Sequence, residues 1–591
     1  MKKLPRELLE RIFVWLDPVS LAYAGSVCKA WYAVVQQDPI WCSVALRLQY
    51  ADQRDARQAL HPYFFGAESA STTGFFDSMR SFRDLCISMT ILERHWGTHA
   101  APTTDLQAET LQLHPHVQYY RPSGWREDVW RIKLDPYENC LIESQTHGGI
   151  RTVDIHTGQI LWAVSPADAR PYPHLEFSEG WLVFDRDAPG HFEIWRSARL
   201  VPDLEEANRG EFIPYTILDV PEMVRAYRLQ FPTLAFVTIN DTYAEIDIRT
   251  KSITRRISLE NTLHVHRNIN YIEFDDQYLF LVGFGYNRVS ILRRESGEVL
   301  WTLAEHIQQH GPPDCYRSAP LRTDDRHALL LREQVLVNAP RWQEYLAQWS
   351  SRDPAQLCYS WHAVHFDRDT ETLVVLGESG ILLLPNYKAM LRGEPCQRAR
   401  MHLFATERDS RLFDEELAED LNDALNFRRR PRAEMHGQLS VANGRVVSVF
   451  ETLTVLDLHS TTQGRDSAKH PKTVPFAVYE WSDMPNAFDW YTGPIDQFRG
   501  CSCAQMDATS FYCVTRQSLD REINIDRSQF NDEYQEHCVQ NDSSMVTGFH
   551  FDHRASDPVC LDKAIVQRAP TDNWNPRQML EQHFNAPQQD S

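Results

Sequence analysis

Short strand-like phrases, each ending in a polar or glycine turn, return along this chain at intervals of about 45 residues. "GIRTVDIHTGQILWAV", "HFEIWRSARLV", "YAEIDIRTKSITRRI", "RVSILRRESGEVLWTL", "QVLVNAPRW", "GILLLPNYKAML" and "LTVLDLHSTTQGR" align at Asp154, Trp195, Asp247, Leu292, Val337, Leu383 and Asp457. An eighth phrase, "SFYCVTRQ", lies around Val514. Within the repeats, "FSEGWLVFDRD", "IEFDDQYLFLVG" and "VHFDRDTETLVVLG" read as hairpins, an apolar strand on either side of an acidic or glycine turn. Four short strands with their turns consume about one such interval, so the recurrence predicts a radial array of small sheets, a β-propeller of seven or eight blades. A pair of β-sandwiches is the competing arrangement. The one long step, from Leu383 to Asp457, contains "RLFDEELAEDLNDALNFRRRPR", where Leu412, Glu416, Leu417, Leu421 and Leu425 have helical spacing. That predicts a helical insertion around 408–432, with "RRRPR" as its solvated basic end.

The opening residues keep a different period. Leu8, Leu9, Ile12, Phe13 and Leu16 recur as the apolar side of a helix. Asp17 is placed to cap a second helix, and Pro18 suits its first turn, where the missing amide hydrogen costs nothing. Leu21, Val27, Cys28, Trp31 and Val34 or Val35 continue the pattern until "QQDP" breaks it, and Trp41 restarts a short run. Three short helices in about 40 residues enclose too little interior to hide two tryptophans and this much leucine, so part of the apolar surface is expected to be covered by another polypeptide. Farther on, Phe82, Leu85, Cys86, Met89, Leu92 and Trp96 form one helical stripe that ends at "GTHAAPTT".

Leu4-Pro5, then "ELLERIFVWLDP", Leu21, "VCKAW" and "DPIW", resemble the F-box. The resemblance implies a hook for the Skp-type adaptor of cullin-RING ubiquitin ligases. Carried over residue by residue, it assigns adaptor contact to Leu4, Pro5, Leu8, Ile12, Phe13, Leu16, Pro18, Leu21, Val27, Cys28 and Trp31, and places Trp41 in the packing against later helices. "ILERHW" looks like the helix that leads into the propeller of F-box proteins with WD-type repeats. The repeats here lack regular Trp-Asp and Gly-His signatures and so resemble a diverged WD or quinoprotein-like propeller. The implied organisation is an α+β multidomain chain: an F-box over 1–48, a helical linker over 49–100, an all-β propeller over 120–570 and a flexible tail over 571–591. The implied role is that of a substrate receptor in a Skp-cullin-F-box ligase, with an unknown target protein on the propeller and proteasomal degradation as the outcome. An F-box scaffold in trafficking or assembly and a quinoprotein-like enzyme are the rival roles.

Composition narrows the remaining classes. A formal charge of -21 repels phosphate backbones and anionic lipid, which argues against nucleic acid and membrane partners. "MKKLPRELLERI" lacks the apolar core of an export signal, and the longest apolar runs, "QYLFLVGFGY" and "ILLLP", fall well short of the roughly 20 residues that span a bilayer. A soluble protein of the cytoplasm, the nucleus or both is expected. The 12 cysteines are scattered as buried, reduced thiols would be. Cys501, Cys503, Cys513, His537, Cys538, His550 and His553 are rich in ligand types, but only "HFDH" and "CSC" approach zinc spacing, so no metal or other cofactor is expected. No phosphate-cradling glycine loop or serine elbow stands out either, which suits a non-catalytic subunit.

Overall fold

A computed structural model of the chain describes residues 4–48, 50, 81–96, 116–120, 129–155, 157–188, 190–202, 207–259, 269–283, 288–311, 313–320, 331–336, 361–368, 370–377, 380–394, 401–405, 437–449, 453–458, 475–479, 501–507, 510–517 and 543–550. The chain divides into two units, residues 1–95 with 551–591, and residues 96–550. The expected helical insertion at 408–432 and the tail at 571–591 lie outside the described residues.

Helices α1 (Arg6–Phe13), α2 (Pro18–Val27), α3 (Lys29–Val35), α4 (Asp38–Arg47) and α5 (Phe82–His95) build the first unit. Where the apolar spacing predicts one run from Pro18 to Val35, the backbone is extended at Cys28 (φ -165°, ψ 164°), so residues 6–47 form four short helices instead of three. The break lets α3 fold back on α2. Gly25 lies at that approach, where a Cβ would meet Val35 Cγ1 in ordinary contact at 3.4 Å.

Helix ends leave backbone groups without partners, and here side chains satisfy them. Asp17 caps α2 as its sequence position predicts, its Oδ1 accepting from the amides of Val19 (3.0 Å) and Ser20 (2.9 Å). Arg47 donates to the carbonyls of Val14 (3.0 Å) and Leu16 (2.6 Å) just past α1. Trp41 Nε1 donates to the Val35 carbonyl (2.7 Å) at the end of α3, and Asp38 Oδ1 accepts from the Phe82 amide (2.9 Å) at the start of α5. Trp41 is buried, and its carbonyl accepts from Cys86 Sγ of α5 (3.6 Å). The α5 stripe is buried at Phe82, Leu85, Cys86 and Leu92.

The second unit is built mainly of strands. After β1 (His116–Tyr120) come antiparallel meanders: β2–β5 (Val129–Asp135, Cys140–Gln145, Ile150–Asp154, Ile160–Val164), β6–β9 (Leu175–Ser178, Trp181–Asp185, His191–Ser197, Phe212–Asp219), β10–β13 (Val224–Gln230, Thr233–Thr238, Thr242–Asp247, Ser252–Ser258) and β14–β17 (Ile269–Phe274, Tyr278–Gly283, Val289–Arg293, Val299–Thr302). Helix α6 (Leu303–His310) and the antiparallel pair β18 (Asp314–Pro320) and β19 (Leu331–Leu336) follow. Then come β20–β23 (Trp361–Asp367, Thr372–Gly377, Gly380–Leu384, His402–Ala405), with α7 (Tyr387–Leu391) before the last strand, and β24–β27 (Gln438–Ala442, Arg445–Val449, Leu453–Asp457, Pro475–Tyr479). The unit ends with β28–β30 (Cys503–Met506, Ser510–Gln517, Ser543–His550), and β1 pairs antiparallel with β30 to complete that sheet. A strand from the start of the unit thus seals a ring at its end.

Among the described residues the hydrogen-bonded sheets number six, not the seven or eight blades expected. The reason is a fusion. β18 pairs in parallel with β23 and β19 pairs antiparallel with β27, so two four-stranded meanders become one ten-stranded sheet. Around the axis, the innermost strands β2, β6, β10, β14, β20, β24 and β28 follow one another, and β28 returns to β2. Asp154, Trp195, Asp247, Leu292, Leu383 and Asp457 all fall on the third strand of their meanders, so the recurrence in sequence is the recurrence of one strand position. Val514 is on a second strand, and Val337 lies outside the described residues just past β19, in the bridging pair and not in a repeat.

Turn chemistry fixes the meanders and ties each to the next. Glu179-Gly180 and Asn443-Gly444, all at positive φ, make two-residue turns between inner and second strands. Asp135, Asp275, Asp367 and Asp507 instead end their inner strands by accepting turn amides, from Tyr137 (3.0 Å), Tyr278 (2.6 Å), Thr370 (2.9 Å) and Ser510 (2.7 Å). Three of these carboxylates also hold the following meander: Asp135 accepts from Arg199 (3.0 Å), Asp275 from the Tyr387 hydroxyl (2.8 Å) and Asp367 from the Gly444 amide (3.1 Å). No helix among the described residues is long and apolar enough to cross a membrane.

Candidate functional site

Successive residues of a helix lie 100° apart, so an apolar pair such as Leu8-Leu9 addresses two adjacent stripes. On α1 these stripes part company. Leu9 and Phe13 (1% exposed) turn into the core with Pro18 and Leu21 (0%), whereas Leu8 and Ile12 remain 45% and 47% exposed. Leu4, at 51%, and Trp15, at 75%, extend the outer stripe at both ends, and Tyr23 and Val27, one turn apart on α2, are exposed as well. Leu16, Cys28 and Trp31 are half-buried between the two surfaces, with the Phe13 and Trp31 rings edge-to-face at 5.2 Å. Of the residues assigned to contact by resemblance, Leu4, Pro5, Leu8, Ile12 and Val27 are therefore open, and Phe13, Pro18 and Leu21 are sealed inside the helical unit as its base. Sequence reasoning treated the α1 stripe as a single side and missed Trp15 and Tyr23, although the spacing of Leu4, Leu8, Ile12 and Trp15 already marks one face.

A second concentration of chemistry surrounds the axis of the β unit. Two residues before the turn, successive inner strands carry Lys133, Glu176, Arg228, Glu273 and His365, then Ser440 and Gln505. The charges of the first four alternate, and each bridges to its neighbour: Lys133 Nζ to Glu176 Oε1 (3.1 Å), Arg228 Nη1 to Glu176 Oε2 (3.2 Å) and Arg228 Nε to Glu273 Oε2 (3.0 Å), while the His365 imidazole places Nδ1 3.1 Å from Glu273 Oε2. His174 Nε2 adds a contact to Glu176 at 3.2 Å, and Gln230 donates to Glu273 at 2.9 Å. Buried charges persist only when paired in this way.

Burial alone would raise the Glu176 carboxyl, but the Lys133 and Arg228 charges and the His174 hydrogen bond hold it well below the usual carboxylate range. Glu273 is likewise lowered against its burial by Arg228 and His365. Burial pushes Lys133, His174 and His365 down from their ordinary values. The folded chain thus keeps both imidazoles neutral, while the unfolded chain takes up protons as pH falls through about 6.5, and stability is lost over that range. Glu176 and Glu273 stabilise above about pH 4.3 and lose that contribution only as pH falls further, through their lowered folded values. The melting temperature is expected to decline already between pH 6.5 and 5, and to decline less in His365→Gln, as a thermal scan across pH would read.

The cysteines with ligand potential sit in the closing sheet. Cys503 Sγ donates to the Ile132 carbonyl (3.3 Å) across the seam between β28 and β2, and Cys501 Sγ donates to the Cys503 carbonyl (3.3 Å). Burial and the neighbouring Cys501 push the Cys513 thiol well up, leaving it an inert core group. His550 ends β30, and His537, Cys538 and His553 lie outside the described residues.

A family model described as F-box-like matches residues 1–47, the stretch that carries the open stripe. Residues 1–47 are an F-box-like domain. No curated protein matches the chain. Among solved structures, the chain is similar to a computationally designed protein, Ika8, at 12% identity and TM-score 0.31 over 66% of this chain and 94% of that one. It is also similar to the β-propeller domain of Myceliophteria thermophila Cps50 (Swd1), at 9% identity and TM-score 0.36 over 67% of this chain and 96% of that one. At these scores neither likeness adds to the strand topology, which by itself makes the second unit a β-propeller. The F-box-like domain therefore shares a buried core with α5 and still presents an apolar stripe, and the propeller has a charged axis.

Proposed function

We propose that this chain is the substrate-recognition subunit of a Skp-cullin-F-box E3 ubiquitin ligase, its F-box-like domain docking on a Skp-type adaptor and its propeller holding the protein to be modified. The observation that carries the reading is the outer stripe of Leu4, Leu8, Ile12 and Trp15, with Tyr23 and Val27 also exposed on α2, left open although Phe13, Leu21, Val35 and Trp41 are buried in a core shared with α5. An exposed apolar patch on so small a domain is the ordinary signature of a protein interface, and F-box domains in general bind Skp-type adaptors.

In this role the chain contributes no nucleophile. It binds a target on one unit and the adaptor on the other, and so raises the effective concentration of a target lysine at the conjugating enzyme brought by the RING partner. Specificity then belongs to the propeller, and the site of action to cytoplasm, nucleus or both.

Deleting residues 1–48 tests the functional consequence. Proteins that co-purify with the propeller are expected to lengthen their half-lives in cells expressing the deleted chain, as a cycloheximide chase would show. If every propeller-bound protein kept its abundance and its half-life, the chain would be an assembly scaffold and the degradation reading would fall.

A further inference from the structure

Four inner strands share one irregularity at their opening residues. The register shifts between Val129 and Arg131 in β2, Val224 and Ala226 in β10, Ile269 and Tyr271 in β14, and Trp361 and Ala363 in β20. The extra residues are Trp130, Arg225, Asn270 and His362, all at the end of the axis opposite the Asp-capped turns. Bulges re-aim side chains and gather beside functional sites. Pairing alone does not demand them, because β6, β24 and β28 join their second strands with no shift.

The mouth these strands form has a particular charge. From Val129 to Arg131, Val224 to Ala226, Ile269 to Tyr271 and Trp361 to Ala363, with His174, Gln438 and Ser502 beside them, there are two arginines and no Asp or Glu. Arg131 decides the chemistry. Its guanidinium lies 5.5 Å from the Trp130 ring centre, its Nε is buried with no hydrogen-bond partner, and no carboxylate pairs with it among the described residues. Tyr172 stands edge-on to Trp130 at 5.2 Å, half exposed, and holds a positive φ of 53° that a tyrosine rarely adopts. One level deeper, Lys133 and Arg228 are matched by Glu176 and Glu273. Arg131 is thus a surplus cation at the axis of a chain whose net charge is -21.

We propose that this mouth binds a single carboxylate, presented by an Asp or Glu side chain of the protein the propeller recognises. The proposal rests on the receptor reading for its partner and on the propeller alone for its chemistry. Arg131 would take the carboxylate through charge-assisted hydrogen bonds, with Trp130 and Tyr172 as walls that keep water away. One surplus positive charge matches one negative charge. A phosphate would bring nearly two, and Lys133 and Arg228, already matched by Glu176 and Glu273, offer it no second unpaired cation.

The test uses the full chain and three immobilised hexapeptide pools that differ only in one fixed position, Glu, Gln or phosphoserine. The wild-type chain is expected to be retained on the Glu pool at least tenfold better than on the Gln pool, with phosphoserine no better than Glu. Arg131→Gln should remove that preference, Arg131→Lys should recover part of it, and both should melt with the wild type. Equal retention on Glu and Gln pools, or an unchanged preference in Arg131→Gln, would overturn the site; stronger retention on phosphoserine would overturn the carboxylate. Adaptor capture by the same variants is read separately, so loss of this site and loss of the receptor role are distinguishable.

Discussion

Replacing Leu8 and Ile12 together by alanine is expected to abolish capture of a Skp-type adaptor while leaving the thermal melt of the chain unchanged. Both side chains are nearly half exposed and hold little of the domain's own core, and surface substitutions away from special features usually change stability by less than about 0.5 kcal/mol. Covered by a partner, each would contribute about 1.5 kcal/mol or more, so the pair accounts for roughly a hundredfold in affinity. Leu4→Ala with Pro5→Ala should act in the same direction. Phe13→Ala is the instructive contrast: its ring is sealed against Trp31 and the core, and its loss should cost about 3 to 5 kcal/mol and unfold the helical unit. Titration calorimetry with the adaptor, beside a melt of each variant, separates the two outcomes. A Leu8→Ala, Ile12→Ala chain that binds like wild type would remove the outer stripe from the docking account.

Glu176→Gln is expected to be the most damaging single change in the propeller. Glu176 is the negative charge between Lys133 and Arg228, both largely buried. Neutralising it leaves two cations facing each other, a situation that costs about 3 to 5 kcal/mol. Adding Lys133→Met should restore part of the loss, because Arg228 keeps Glu273 at 3.0 Å while the orphaned ammonium is gone. Urea unfolding of the two variants checks both the magnitude and the rescue. Simple additivity of the two substitutions would show that the alternating arc is not coupled.

The parts of this architecture that were legible in the sequence are those written in local chemistry. Asp154 and Asp247 announced third-strand ends because the chain turns directly after them, and Asp17-Pro18 announced α2 because capping uses adjacent residues. The break at Cys28 was illegible, since neither proline nor glycine marks it and the apolar spacing runs straight through. The fused sheet was illegible for another reason: β18 meets β23, and β19 meets β27, through pairings far apart in sequence. The axial arc left only a faint trace, one polar or charged residue per inner strand, whose shared place two residues before a turn becomes visible when the strands are superposed. Trp15 and Tyr23 were passed over because an apolar helix face does not say which of its two flanks points outward.

The seal between β1 and β30 has a consequence for biosynthesis. It joins His116–Tyr120 to Val546–His550, so at 5–20 residues per second a ribosome needs about 20 to 90 s after making the first partner before it delivers the second. Through that interval every completed meander waits on a gap that only the last-made strand can shut, and the nascent chain must be shielded from neighbours on the same polysome. A translation product halted shortly before Ser543 would accordingly behave as an unlatched, chaperone-bound species and not as a slightly shorter propeller.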